Sequence, residues 1–310
     1  MFPEMTRMSE AYNVAQKIDV EIRKLTDIYI ELIFKNVPLP ILNALRRIIQ
    51  LEVPVMAIDE VIFYENSTVL YDEIIAHRLG LIPLRSEEAL DKYGPPEKCI
   101  KCMESYYAEA SEEAVERPSS KDCENCFIYI RGSVENLDEE EMKTFYSGDL
   151  LSDDPDVVPV YKEIPIVILG PHQRLSFDAK ARLGRGIEHS KFSPVSVAGV
   201  RYVAEISTNS LDDTNLKEAE KCLEYCPVKI LEISYEDKKI LVKDPYECIL
   251  CMQCVKRCPE NSIKISYRKD QYILFFESVG QLSVRKILLT AIDIFINKID
   301  YLLQQIKEMR

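Results

Sequence analysis

The period of hydrophobic and polar positions changes several times along the chain. Ile18, Val20 and Ile22 alternate with charged residues, and Tyr29-Ile30-Glu31-Leu32-Ile33-Phe34 follows, so residues 17–35 are expected to form strands. Pro38 and Pro40 mark a turn and suit the first turn of a helix. Over 41–51, Ile41, Leu42, Leu45, Ile48 and Ile49 fall on one helical stripe, with Arg46 and Arg47 off it. Val53-Pro54 closes that helix, because a residue before proline disfavours the helical conformation. Strands are expected at 55–58 and 61–64, and a short helix over 72–84 closed by Gly80.

Residues 91–157 are polar and acidic, and read as loop with two short cysteine knuckles. Val160–Leu169 reads as a strand, 172–202 as mostly polar, and 202–207, 229–234, 239–242, 262–267 and 272–277 as strands. The chain closes on a long helix, 283–307, with Ser283 as N-cap. Its apolar face carries Val284, Ile287, Leu288, Ala291, Phe295, Ile299, Leu302, Leu303 and Ile306. Pattern alone leaves open whether this stripe caps the chain's own sheet or pairs with another subunit. A length of 310 residues fits two or three domains, and no low-complexity linker separates the parts, which points to nested insertions.

The cysteine spacings carry the chemistry. Cys248-x2-Cys251-x2-Cys254-x3-Cys258-Pro259 is the bacterial-ferredoxin spacing for iron–sulfur ligation, in which the cysteine before proline serves a different cluster. Cys222-x3-Cys226-Pro227 is the tail of a second such motif, but its first two ligand positions hold Leu216 and Ala219, which bind no iron. One cluster is therefore expected, on Cys226, Cys248, Cys251 and Cys254. Cys222 and Cys258 are left where a second cluster was lost, either as a disulfide or as thiols. A second set, Cys99-x2-Cys102 and Cys123-x2-Cys126, offers four thiolates for one structural zinc.

Charge and composition narrow the function. A net charge of −13 argues against a broad nucleic-acid grip, and the acidic runs within 104–124 and 135–156 read as solvated faces. The sequence shows no apolar run of the roughly 18 residues needed to span a bilayer and no basic-then-apolar leader, and its cysteines cluster in metal-style spacings; a reducing cytosol is expected. Leu183-Gly184-Arg185-Gly186 lacks the third glycine of a dinucleotide loop. His77, His172 and His189 stand in no HExxH or Gly-x-Ser-x-Gly setting, and Asp153-Asp154-Pro155-Asp156 reads as solvated acid. No convincing catalytic set emerges.

Four strings, NALRRIIQLEVPVMAIDEV at 43–61, DEIIAHRLGLIPL at 72–84, LGRGIEHSKFSPVSVAGVRY at 183–202 and FFESVGQLSVRKILLTAI at 275–292, resemble the alpha-like subunits of cellular RNA polymerases. The ferredoxin-like insert makes the resemblance closest to the family of the archaeal polymerase's third-largest, alpha-like subunit (subunit 3), and it runs over nearly the whole chain. It implies an α+β architecture: an alpha-like dimerisation domain from 1–58 and 265–310, an inserted mainly-β domain over 59–208 with a zinc-type loop near 91–130, and a ferredoxin-like iron–sulfur domain over 209–264. It also implies a non-catalytic scaffold that heterodimerises with a small alpha-like subunit, L. Subunits N and P dock on that pair, and the second-largest subunit is recruited to it.

The resemblance places Leu45, Ile48, Leu288, Ala291 and Phe295 at the subunit interface, with Leu45, Ile48, Leu288 and Phe295 buried against the partner and not in the chain's own core. Arg46, Arg47 and the Gly184–Ser193 loop look like large-subunit contacts. The family varies in cluster number, and a three-iron form is expected where Cys226 is not engaged. A redox carrier is the competing reading, but the chain offers no flavin or nicotinamide motif beside its one complete cluster site.

Overall fold

A computed structural model describes residues 18–107, 123, 125–138 and 140–309. The chain begins with β1 (Asp19–Leu25), β2 (Tyr29–Lys35), α1 (Leu39–Leu51), β3 (Val55–Asn66), α2 (Asp72–Gly80), α3 (Ala89–Lys92) and α4 (Pro96–Tyr107). Six strands follow: β4 (Ile128–Glu135), β5 (Lys143–Tyr146), β6 (Leu151–Ser152), β7 (Pro165–Leu169), β8 (Arg174–Gly184) and β9 (Val195–Thr208). Then come α5 (Asp213–Leu223), β10 (Leu231–Ser234), β11 (Lys239–Val242), α6 (Gln253–Arg257), β12 (Ile263–Ser278) and α7 (Val284–Glu308). Two compact units result, and their boundaries fall inside α1, β2, β9 and β12.

The first unit comprises 18–24, 31–43 and 199–275. Its sheet has the order β1-β2-β12-β9, which makes β1 an edge strand. Ile33, Val203 and Ile273 pack as one core cluster, and Val37, Leu42 and Tyr272 as another. β10 and β11 form a separate antiparallel hairpin, registered Leu231 to Val242 and Ser234 to Lys239. Around that hairpin Leu211, Ala219, Ile230, Leu231, Ile240 and Ile263 form a core that also contains Cys222, Cys226, Cys248 and Cys254.

The second unit comprises 25–30, 44–198 and 276–309. Its larger sheet has the order β3-β8-β4-β6, and β5 pairs with β7. The core is centred on Phe177, whose ring meets Phe145 edge-on at 6.3 Å. Gly132 makes room for it, since a Cβ there would lie 2.3 Å from the Phe177 ring. Gly186 is likewise required by close approach: a Cβ would lie 2.4 Å from the Gln50 carbonyl oxygen. Ser283 caps α7 by accepting from the Lys286 amide, and its own hydroxyl donates to Glu87 at 2.8 Å.

Three expectations from the sequence are corrected here. Residues 91–157 are not a long loop; they include α4, β4 and β5. The polar stretch after 172 contains β8, in which Leu175, Phe177, Ala179, Ala181 and Leu183 are buried on one face. The strands expected at 262–267 and 272–277 are one continuous strand, β12, because the charged Arg268-Lys269-Asp270 interrupts the apolar pattern but not the backbone ladder. Among the described residues no helix is long and apolar enough to cross a membrane.

Candidate metal centre and interaction surfaces

Four thiols converge on one apolar hollow in the first unit. Cys226, Cys248, Cys251 and Cys254 line it together with Ile206, Ile230, Leu231 and Ile265. Each thiol is delivered by a local device. Asp212 caps α5 by accepting from the Asn215 amide at 2.9 Å, and Cys226 follows in the turn after that helix. Asp244 accepts from the Tyr246 amide at 2.9 Å and shapes the short turn Pro245–Glu247 that ends at Cys248. Cys251 sits between Leu250 and Met252, both left-handed at φ 55° and 60°. Such backbone is costly for a residue with a Cβ and persists where the surroundings over-determine it, as at a ligand-wrapping loop. Cys254 lies in α6.

Cys226, Cys248 and Cys254 are buried, while Cys251 is exposed. Burial pushes the Cys248 and Cys254 thiols above their ordinary pKa, and at Cys248 the Arg201 charge acts against that rise. Thiolates in so apolar a setting need a cation to compensate them, and bound iron is such a cation. Arg201 Nε is buried with no hydrogen-bond partner, so the same wall also holds a spare donor. The donor set, the apolar lining and the wrapping loop therefore fit an iron–sulfur cluster.

Cys222 and Cys258 lie beside this hollow as a disulfide, which resolves the two alternatives left by the sequence. The second cysteine set differs from expectation. Cys99, Cys102, Cys123 and Cys126 converge, with Phe127 packed against them, but they are joined as two disulfides, Cys99–Cys126 and Cys102–Cys123. The expected meeting of four sulfurs is present; the expected open tetrahedral zinc set is not, because sulfurs bonded in pairs are too close together to surround an ion. The acidic stretch 108–122 and Glu124 lie outside the described residues. Asp153, Asp154 and Asp156 pair with Arg131 and Lys92, in agreement with their reading as surface acids.

The helices carry the other candidate surface. Leu45 and Ile48 are 7% and 4% exposed, and Ala291 is buried as well, so the chain itself covers them. The expectation that Leu45 and Ile48 await a partner is overturned: α1 turns its apolar stripe inward. Leu288 and Phe295 are half-buried, Arg46 is half-buried and Arg47 is exposed. Missed in the sequence is a different seam on α7. Leu289, Ile292, Ile296, Ile299, Leu303 and Ile306 recur at alternating steps of three and four, and all are exposed. That is the heptad spacing by which one helix packs along another. The residues expected on one face are thus divided: Val284, Ile287 and Ala291 face inward, and the C-terminal half presents a bare apolar edge.

Comparison with known proteins agrees with this geometry. Residues 58–198 match the RNA polymerase Rpb3/RpoA insert domain, and residues 218–262 match a 4Fe-4S dicluster domain. The DNA-directed RNA polymerase subunit Rpo3 of Archaeoglobus fulgidus is 34% identical over 292 residues, covering 94% of this chain and 99% of that protein. Rpo3 of Aeropyrum pernix is 33% identical, with 88% and 90% covered. The DNA-directed RNA polymerase II subunit rpb3 of Dictyostelium discoideum is 32% identical, with 94% and 95% covered. The chain belongs to the Rpo3/Rpb3 family of DNA-directed RNA polymerase subunits.

Proposed function

We propose that this chain is the non-catalytic assembly platform of a multisubunit DNA-directed RNA polymerase, acting in the cytoplasm. The observation that carries the reading is the exposed heptad seam of α7. A continuous apolar edge of this kind is disfavoured on a free soluble protein and suits a partner helix. Its occupant is the small alpha-like subunit, L, with Leu288 and Phe295 flanking the seam. Subunits N and P and the second-largest subunit join the pair, the last through Arg46, Arg47 and the 184–193 loop. A discontinuous platform from 1–58 and 265–310, with the other two parts inserted, is the organisation we assign. The experiment is co-expression with the small alpha-like subunit. A stoichiometric heterodimer on gel filtration supports the reading, and a monomeric chain beside an unbound partner contradicts it.

One iron–sulfur cluster is bound, by Cys226, Cys248, Cys251 and Cys254, and its role is structural or regulatory. The dicluster match is consistent with a single cluster, because Leu216 and Ala219 stand at two ligand positions of the second site and its two remaining cysteines bond to each other. Zinc is the proposed occupant of Cys99, Cys102, Cys123 and Cys126 once those thiols are reduced; their convergence supports this. Metal analysis of the reduced protein decides it: about one zinc per chain is expected, and thiols that stay free in the presence of zinc refute the site.

A further inference from the structure

A buried ion-pair network in the first unit ties the cluster loop to the edge strand β1. Arg23, on β1, donates to Glu31 Oε1 at 2.6 Å, to Asp244 Oδ2 at 2.7 Å and to Glu247 Oε1 at 2.7 Å. Glu31 is 1% exposed and also accepts from Arg201 at 2.7 Å. The Arg23 guanidinium stands over the Tyr246 ring at 5.7 Å, and Lys24 adds a contact to Glu247 at 2.5 Å. Asp244, Tyr246 and Glu247 belong to the turn that delivers Cys248. One side chain on the sheet therefore grips three of the residues immediately before a thiol of the hollow.

We propose that Arg23 is a positioning residue for the cluster, and that through it the order of β1 depends on whether the cluster is bound. The proposal rests on Cys248 being a cluster ligand. The physics is that of a charge-assisted strap. A guanidinium holds its donors in a fixed planar fork, so its contacts to Glu31 and to the Asp244–Glu247 turn constrain one another. With the cluster bound, the turn is fixed at Cys248, and the acceptors stay where the fork needs them. With the cluster gone, the turn is released, and Arg23 keeps only Glu31 on its own sheet. As an edge strand, β1 has one neighbour, so losing the strap loosens it more than any interior strand. Its other face carries Val20 and Ile22, with Ile18 just before them, all exposed, so the loosened strand is one with an open apolar surface.

The experiment uses the full chain carrying its cluster, in complex with the polymerase partner that stabilises it. The rate at which the cluster's visible absorbance decays in a chelator is measured for wild type, Arg23→Met and Arg23→Lys. Arg23→Met should lose the cluster about tenfold faster, as expected for removal of a charge-assisted hydrogen bond. Arg23→Lys should fall between, because it keeps the charge and loses the fork. Should Arg23→Met fail to fold because Glu31 is left short of a partner, the pair Asp244→Asn with Glu247→Gln tests the same strap from the other side. That pair keeps the Asp244 turn acceptor and the Arg23–Glu31 contact. Hydrogen exchange over 19–25 should rise when the cluster is stripped from wild type and should already be raised in the variants. Decay rates equal to wild type, or exchange at 19–25 indifferent to cluster removal, overturn the proposal. A wild-type chain that binds no cluster at all contradicts the ligand assignment instead, so the two failures are distinguishable.

Discussion

Cys222 and Cys258, 36 residues apart in the chain, are bonded to each other with their Cα atoms 5.0 Å apart. They occupy the place where the ferredoxin spacing puts ligands of a second cluster, and Cys222 is 1% exposed. The bond replaces a cluster as the tie between α5 and the segment after α6. Replacing both residues by serine should leave the iron and sulfide content at one cluster per chain. It should lower stability by about 2–4 kcal/mol, as for loss of a native cross-link. Chelator resistance and denaturant unfolding measure the two effects separately; a loss of all iron in the double variant would place the ligands wrongly.

Cys251 is the exposed member of its set, whereas Cys226, Cys248 and Cys254 are shielded. Oxidative loss of iron should therefore begin at Cys251, not at Cys226 as the resemblance implied. Alkylation followed by mass spectrometry, on protein briefly exposed to air, should label Cys251 before the others. Labelling that starts at Cys226 would contradict the geometry.

Asp59 accepts from Arg182 at 2.7 Å and from Lys191 at 2.5 Å in the second unit. Burial works to raise its pKa, but the Lys191 and Arg182 contacts outweigh that and hold the carboxyl below its ordinary value. A depressed carboxyl stabilises the fold at any pH above its unfolded value of about 4, and the contribution is lost as the pH falls below that through the folded value. Asp59→Asn should cost about 2–3 kcal/mol at neutral pH, the range for hydrogen bonds to a charged group, with Arg182 retaining Glu188. The difference between wild type and variant should shrink below about pH 4. A gap that is constant across that range in thermal unfolding would remove the ion pair as its cause.

The cysteine spacings, α1, the β11 strand and the long final helix were legible in the sequence because each rests on local pattern. Other elements were hidden by composition. In β4, Ile128 and Ile130 alternate with Tyr129 and Arg131, yet the surrounding acids and cysteines made the region read as loop. In β8 the alternate positions hold Ser176, Asp178 and Lys180, whose polarity diluted a period-two signal. The state of the sulfurs at 99–126 depends on redox conditions and metal supply, which spacing does not encode. Nor does periodicity say which side of an apolar helix the chain itself will cover. Leu45 and Ala291 turned inward, and the free seam from Leu289 to Ile306 lies a fraction of a turn away from the expected face.

The central claim is that the exposed seam of α7 joins this chain to the small alpha-like subunit. Placing Lys at both Ile299 and Leu303 puts two charges in the middle of that seam. Burying them against an apolar helix costs on the order of several kcal/mol. Both positions are already exposed in the free chain, so its own fold and its cluster should be unaffected. Light scattering of the co-expressed pair is the direct measurement. The account predicts a heterodimer for wild type and separate chains for the double variant, each keeping the cluster absorbance. A heterodimer that survives the double substitution would contradict it.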